Sequence, residues 1–359
     1  MFSPLLKLFL LGSISISQTI AKPAIIPRSP TNKYQISPYI IPLNPPKKVW
    51  IDNFSASIRI GNHTLNAVLD TGSSNIWFMT PSTQCADPQT GDPIPSSECG
   101  YRGPKYTPDP SSFMAIPDVH ANISYVIGDV MNGIHGVGNV TFGGLQVDYQ
   151  QLSLATYAKS SYDGPWSGLI GLAYQSITTI YPGVDPSKDI PCIDSLKATS
   201  KNCNLLHYRP LLSTIFQRNL TKPIFAFAMS RSKETGGIMT LGGIPDPNDA
   251  QINATNGPEA TVPIEREEGS TEYSEYYIPV DGLNFTGAAA GAGKGQYLVD
   301  TGTVPNIVPQ EQAEAINALF DPPAVYNKTK GGSIAQCNAT APDISVEIGG
   351  QLFGINRKN

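Results

Sequence analysis

Short runs in which apolar residues alternate with polar ones dominate the chain after residue 50. Phe54, Ala56, Ile58 and Ile60 are separated by Ser or Arg residues, and this period of two is typical of a strand with one buried face. Similar runs follow, separated by Gly, Pro and Asn, which favour turns. We predict further strands at Asn66–Leu69, Asn75–Met79, Ile123–Ile127, Gly138–Phe142, Ile224–Met229, Ile238–Leu241, Tyr276–Val280, Tyr297–Val299 and Ile344–Ile348.

Helical patterns are confined to two segments of the sequence. They are Arg209–Leu220 and Pro309–Phe320, and the second has Pro in its first turn and another Pro shortly after its end. Many short strands with few helices are typical of a mainly β architecture. The length of 359 residues suits two domains or one large bilobal unit.

The first 21 residues are typical of a secretory signal peptide. Lys7 lies in a Leu-rich run, and Thr19-Ile20-Ala21 resembles the cleavage site of such peptides. No other segment of the sequence reaches the ~18 consecutive apolar residues that a membrane-spanning helix needs. We therefore expect a secreted, extracellular protein with no membrane span beyond that peptide. Residues 22–48 are rich in Pro and predict a linker or a short pro-segment.

Composition narrows the classes of function. Charged residues are 15% of the chain and the net charge is −5, so the chain offers no basic field for nucleic acid. Asn-x-Ser/Thr motifs are frequent, which suggests a glycoprotein surface in a secreted chain. Their asparagines are Asn53, Asn62, Asn122, Asn139, Asn219, Asn253, Asn284, Asn327 and Asn338.

The chain has five cysteines, which an oxidising compartment tends to pair. Cys85 with Cys99, and Cys192 with Cys203, would each close a short loop within a long polar segment, and we predict these two disulfides. Cys337 is then left without a partner. The four histidines are scattered without metal-ligand spacing, so we expect no metal and no cofactor.

An internal repeat carries the candidate chemistry. Val-Leu-Asp-Thr-Gly-Ser at 68–73 recurs as Leu-Val-Asp-Thr-Gly-Thr at 298–303, each time after an apolar strand. Two carboxyl groups placed close together, here Asp70 and Asp300, share a proton, so that one acts as a base and the other as an acid. The glycines of the two loops permit tight turns, and the hydroxyl groups can hydrogen-bond across the pair. These supporting residues are Thr71, Gly72, Ser73, Thr301, Gly302 and Thr303.

From residue 50 onward the sequence resembles the pepsin-like aspartic peptidases. Asp-Thr-Gly-Ser-Ser-Asn-Ile-Trp at 70–77 is close to the first active-site signature of that family. Gly-Leu-Ile-Gly-Leu at 168–172 is similar to the strand that crosses behind that loop, and residues 236–243 resemble a hairpin early in the second lobe. The resemblance implies a bilobal acid protease fold, with residues 49–220 as the first lobe and 221–359 as the second.

The same resemblance implies an activity and roles for particular residues. Asp70 and Asp300 would be the catalytic dyad of an aspartic endopeptidase that hydrolyses polypeptides at acid pH through an activated water. Tyr125 and Gly128 would belong to the flap that closes over the substrate, and Trp77 would pack beside Tyr125. We expect a monomer that needs no cofactor.

The sequence also departs from the family pattern. The flap reads Tyr-Val-Ile-Gly at 125–128, where the family usually has glycine and a polar residue after the tyrosine. Val304 stands where the family usually has serine after the second signature. No second apolar-apolar-Gly strand follows Asp300, so we expect an incomplete second lobe, which would also explain the unpaired Cys337. Two alternatives stay open: a catalytically weak binding protein on the same scaffold, and an incomplete gene product.

Overall fold

A computed structural model describes residues 9–12, 37–44, 53–126, 128–191, 203–206, 208–230, 235–246, 257–328 and 332–355. The helices in this part of the chain are α1 (Leu211–Gln217) and α2 (Gln310–Ala318), with short 3₁₀ turns at Gln175–Ile177 and Pro186–Lys188. The strands are β1 (Phe9–Gly12), β2 (Tyr39–Asn44), β3 (Ser55–Ile60), β4 (His63–Asp70), β5 (Ile76–Ala86), β6 (Pro93–Ile94), β7 (Phe113–Ser124), β8 (Val130–Phe142), β9 (Leu145–Lys159), β10 (Gly168–Gly171), β11 (Ile180–Pro182), β12 (Phe225–Met229), β13 (Gly237–Leu241), β14 (Tyr277–Val280), β15 (Gly282–Phe285), β16 (Gly295–Leu298), β17 (Val325–Asn327), β18 (Gly332–Ile334), β19 (Ile344–Ile348) and β20 (Gln351–Ile355). The mainly β prediction is confirmed.

The largest sheet has thirteen strands in the order β1-β12-β13-β2-β3-β4-β10-β5-β9-β8-β7-β11, with β6 paired to β5. Its important feature for the site is β10, which lies between two strands that follow each other in the chain. β10 pairs parallel with β4, which places Gly171 beside Asp70, and antiparallel with β5, which places Ile170 beside Ile76. The loop from 71 to 75 therefore leaves the sheet where β10 ends.

The strands around this loop are buried on both faces. Val68 and Trp77 belong to one cluster of buried side chains, while their neighbours Leu69 and Ile76 belong to a second cluster. Successive residues of a strand point to opposite faces, so both faces of β4 and β5 are covered at this point. Each such side chain contributes roughly 1.5–3 kcal/mol on burial, and the loop consequently begins and ends in well-packed structure.

In the second lobe, β12 and β13 belong to the large sheet, and the strands after them form smaller sheets. β14 pairs with β16, β15 with β19 and β20 form a three-stranded sheet, and β17 pairs with β18. The residues of β16 and Val299 are at most half-buried. Asp300 therefore follows a strand whose residues are less buried than those of β4.

Several expectations need correction. Within residues 22–48, predicted to be a linker or a short pro-segment, Tyr39–Asn44 forms a strand that was not predicted: β2 joins β13 to β3 and buries Ile41, while the role of the segment stays a prediction. The predicted strand Ile123–Ile127 ends at Ser124, since the Gly128 amide donates to the Tyr125 carbonyl and closes a turn, and Ile127 lies outside the described residues. The fifteen-residue strand β9 was not predicted.

Near its N-terminus the chain contributes one described strand to the large sheet. Phe9–Gly12 pairs with β12, while the rest of the predicted signal peptide lies outside the described residues. Within the described part of the chain, no helix combines the length and apolarity that crossing a membrane requires.

Candidate active site

The two Asp-Thr-Gly loops meet through reciprocal hydrogen bonds. The Thr71 amide donates to Thr301 Oγ1 over 3.1 Å, and the Thr301 amide donates to Thr71 Oγ1 over 2.9 Å. Each hydroxyl group then donates to a backbone carbonyl of the other strand, Thr71 to Val299 and Thr301 to Leu69, both over 2.7 Å. The threonines thus fix the spacing between the lobes, as the sequence suggested.

Each carboxyl group is held by its own loop in the same way. The Gly72 amide donates to Asp70 Oδ1 over 2.9 Å, and the Gly302 amide donates to Asp300 Oδ1 over 2.7 Å. The other carboxyl oxygens accept hydrogen bonds from side chains: Ser73 Oγ donates to Asp70 Oδ2, and Thr303 Oγ1 donates to Asp300 Oδ2. Both carboxyl groups are therefore oriented before any substrate binds.

Glycine is required in both loops because the opposite carboxyl group lies against it. A Cβ atom on Gly72 would lie 2.6 Å from Asp300 Cγ, and one on Gly302 would lie 2.6 Å from Asp70 Cγ. Non-bonded carbon atoms do not approach each other this closely, so a side chain at either position would push the carboxyl groups apart. The same geometry shows that the two carboxyl groups face each other across the loops.

The electrostatics of the pair favour a shared proton. Asp70 is only 5% exposed. Burial and the charge of Asp300 raise the pKa of Asp70 to about 7. A carboxyl group in this state keeps its proton at acid pH.

The strand β10 supports the first loop from behind. The Leu172 amide donates to the Asp70 carbonyl over 2.7 Å, and the Ala173 amide donates to the Ser73 carbonyl over 2.9 Å. The Gly171 amide bonds the Asn75 carbonyl in the same way. The first loop is thus held along its backbone by a second segment of the same lobe.

The predicted flap residues lie at the turn between β7 and β8. Trp77 Nε1 donates to Tyr125 Oη over 2.8 Å, so the two side chains are in contact, and the flap role of Tyr125 stays a prediction. Gly128 has φ +90°, a value that favours glycine. The buried Asp129 anchors the base of the turn by accepting hydrogen bonds from Ser160 and Ser161.

Sequence reasoning missed Asn53, which it considered only as the acceptor of a glycan. Asn53 is 3% exposed, and its Nδ2 donates to the Gly302 carbonyl over 2.8 Å. Ser55 pairs with Val68, and the Leu69 amide bonds the Phe54 carbonyl, so Asn53 lies level with Asp70. The only sign of this role in the sequence was that Asn53 directly precedes Phe54, where the alternating pattern of the first predicted strand begins.

Glu275 occupies the matching place in the second lobe. Tyr277 pairs with Leu298, and the Val299 amide donates to the Tyr276 carbonyl over 3.1 Å, which puts Glu275 level with Asp300. Burial, together with the charges of Glu267 and Asp300, raises the pKa of Glu275 to about 7. A third carboxyl group that titrates thus lies beside the pair.

The cysteines follow the expected pattern where the structure describes them. Cys85 and Cys99 form a disulfide, and Cys337 is free and exposed. Cys203 is disulfide-bonded, while its predicted partner Cys192 lies outside the described residues. Among the described residues, no group of three or more His, Cys, Asp or Glu side chains could hold a metal ion.

Comparison with known proteins agrees with this geometry. The family model for eukaryotic aspartyl proteases matches residues 53–359. A probable aspartic-type endopeptidase of Aspergillus fumigatus is 35% identical over 84% of this chain, and rhizopuspepsin-5 of Rhizopus niveus is 28% identical over 77% of it. The chain spans 65% and 59% of the lengths of these two relatives.

A solved structure shows the same fold. The aspartic proteinase from Irpex lacteus superimposes with a TM-score of 0.60 at 15% identity, covering 89% of this chain and 78% of that one. Since the family model covers most of the chain, the chain belongs to the eukaryotic aspartyl protease family.

Proposed function

We propose that this chain hydrolyses peptide bonds of polypeptides at acid pH, with Asp70 and Asp300 as the catalytic dyad. The observation that carries the proposal is the pair of facing carboxyl groups joined by reciprocal threonine hydrogen bonds. The family membership agrees with it. The expected absence of a metal and a cofactor stays part of the proposal.

The different surroundings of the two carboxyl groups suggest their roles. Asp70 is the more deeply buried and its pKa is raised to about 7, so it keeps the shared proton, and the half-buried Asp300 serves as the base. Asp300 accepts a proton from a water molecule as the water oxygen attacks the peptide carbonyl carbon, and Asp70 donates its proton to the carbonyl oxygen. Asp300 then protonates the peptide nitrogen, the C–N bond breaks, and Asp70 takes back a proton from the diol.

The flap would close over the bound polypeptide. Tyr125 is tied to Trp77, and Gly128 shapes the turn, so the flap has a fixed base and a protruding tip. Val126 at that tip is fully exposed, which offers apolar surface to a substrate. We further propose that the protein is secreted, as its predicted signal peptide suggests, and that it acts as a monomer.

Cleavage of an unfolded protein substrate between pH 2 and pH 8 tests the proposal. We expect a maximum at acid pH, loss of activity in Asp70→Asn, and inhibition by a statine-type mimic whose hydroxyl group replaces the attacking water. Asp92→Asn is the matched control, because Asp92 is exposed. A maximum above neutral pH, or full activity in Asp70→Asn, would contradict the mechanism.

A catalytically weak binding protein remains the second candidate. Val304 and Ile307 after the second loop are exposed, and Val304 replaces the serine that the family usually has there. If the parent chain binds the statine-type mimic but cleaves no substrate at any pH, this candidate is favoured over the peptidase.

A further inference from the structure

The carbonyl group of Gly302 receives two hydrogen bonds from the first lobe. Asn53 Nδ2 and Tyr162 Oη each donate to this oxygen over 2.8 Å. Asn53 lies two residues before β3 and Tyr162 lies between β9 and β10, so two separate segments of the first lobe converge on one atom. That atom belongs to the loop that carries Asp300.

The position of Asn53 is unfavourable for stability. Its side chain is buried, and Asn53 Oδ1 has no hydrogen-bond partner among the described residues. A buried polar atom without a partner lowers stability. Positions where a protein tolerates a buried polar atom without a partner are typically functional. Here the Asn53 amide supplies a hydrogen-bond donor to the candidate active site.

The second loop needs support from outside its own lobe. In the described part of the chain, β16 pairs only with β14, whereas β4 has β3 on one side and β10 on the other. The threonine hydrogen bonds hold the loop at Thr301. The bonds from Asn53 and Tyr162 hold it one residue further on, close to the Asp300 carboxyl group.

We propose that Asn53 and Tyr162 are positioning residues of the aspartate pair, which hold the second loop against the first lobe through the Gly302 carbonyl. Asn53 therefore carries no glycan, although it lies in an Asn-Phe-Ser motif, because Nδ2, the atom that a glycan would occupy, is buried against the Gly302 carbonyl and leaves no room for a sugar. The catalytic part of this inference rests on the proposed peptidase function, and the glycan and loop-ordering parts do not.

The experiment compares the full chain, expressed in a glycosylating host, with four variants. Asn53→Ala removes the donor, Asn53→Asp replaces it with an acid of the same shape, and Tyr162→Phe removes the second donor. Asn62→Ala is the matched control, since Asn62 lies in an exposed Asn-x-Thr motif of the same lobe. The readouts are kcat and KM across pH, glycopeptide mapping, and hydrogen–deuterium exchange of the peptide covering residues 296–304.

We expect Asn53→Ala to lower kcat roughly tenfold, less than the ~100-fold of a full ångström displacement, with KM nearly unchanged. Asn53→Asp should stay active at acid pH, where the buried acid is protonated and donates. It should lose activity at lower pH than the parent as that acid ionises. Tyr162→Phe should lower kcat by a smaller factor, and Asn62→Ala should match the parent.

The exchange and glycan readouts do not depend on turnover. Faster exchange at 296–304 in Asn53→Ala and Tyr162→Phe, and an unmodified Asn53 in the parent, support the proposal even if the parent proves inactive. A glycan on Asn53 would overturn it. Unchanged exchange, kcat and pH profile in Tyr162→Phe and both Asn53 variants would overturn it as well.

Discussion

The two aspartate loops have the same hydrogen bonds but different surroundings. Each aspartate accepts one bond from a glycine amide and one from a hydroxyl group, and the threonines exchange bonds in both directions. Yet Asp70 follows a strand that is buried on both faces, whereas Asp300 follows one that is at most half-buried. The repeated sequence therefore sets the geometry of the pair, and the lobes around it set the chemistry of each carboxyl group.

The same contrast holds for the residues level with the two aspartates. Asn53 is neutral, buried and bonded across to the opposite loop, while Glu275 is ionisable and half-buried. The two residues occupy equivalent register positions. Asn53 lies two residues before β3, which runs antiparallel to β4, and Glu275 lies two residues before β14, which runs antiparallel to β16. The pseudo-symmetry of the site thus ends at these two side chains.

The first prediction concerns Asp300. Asp300→Asn should lower kcat by roughly 10³-fold, within the range for removal of a general acid or base. The double variant with Asp70→Asn should lose no more than either single variant, because residues that act as one unit are not additive. Steady-state cleavage at acid pH measures both. Additive losses would show that the two carboxyl groups act independently.

The two glycines allow a direct comparison of how firmly each carboxyl group is held. We expect Gly302→Ala to lower kcat by roughly 100-fold, because its Cβ meets the buried Asp70, which has no room to move. Gly72→Ala should cost only about tenfold, because the half-buried Asp300 can shift away. Gly354→Ala is the control, since no atom lies within 4 Å of a Cβ there. The reverse order would mean that the second loop is the more rigid one.

The sequence predicted those parts of the site that depend on neighbouring residues. The loops around Asp70 and Asp300 were found because each is one continuous motif, and Ile344–Ile348 was predicted with its observed bounds. Asn53 was not identified, because its partner Gly302 is 249 residues away. β2 was missed for the same reason: its partners lie in β3 and in the distant β13, and its Pro-rich segment indicates a linker or a short pro-segment rather than a strand.

The raised pKa of Asp70 predicts how stability depends on pH. A carboxyl group whose pKa is raised from ~3.9 to about 7 on folding stabilises the protein fully below pH ~4, and this contribution is lost as pH rises through 7. We expect Tm to fall by several degrees between pH 4 and pH 7.5. Asp70→Asn should flatten this decline, and Glu275→Gln should flatten it less, because Glu275 is half-buried. Thermal unfolding at four pH values measures the slopes, and a Tm that rises over this range would contradict the assignment.

The smallest expected effect comes from Glu275, and it tests whether the asymmetry beside the pair influences catalysis. As Glu275 ionises near pH 7, its charge opposes loss of the proton that the two aspartates share, because like charges raise each other's pKa. Removing that charge in Glu275→Gln should let the dyad lose its proton earlier. In a plot of kcat against pH, the fall in activity near neutral pH should therefore move to lower pH by a few tenths of a unit. Glu259→Gln, at an exposed position, should leave the profile unchanged. A shift to higher pH in Glu275→Gln would mean that ionised Glu275 inhibits the reaction directly rather than by raising the pKa of the pair, and the two lobes would then differ in function as well as in burial.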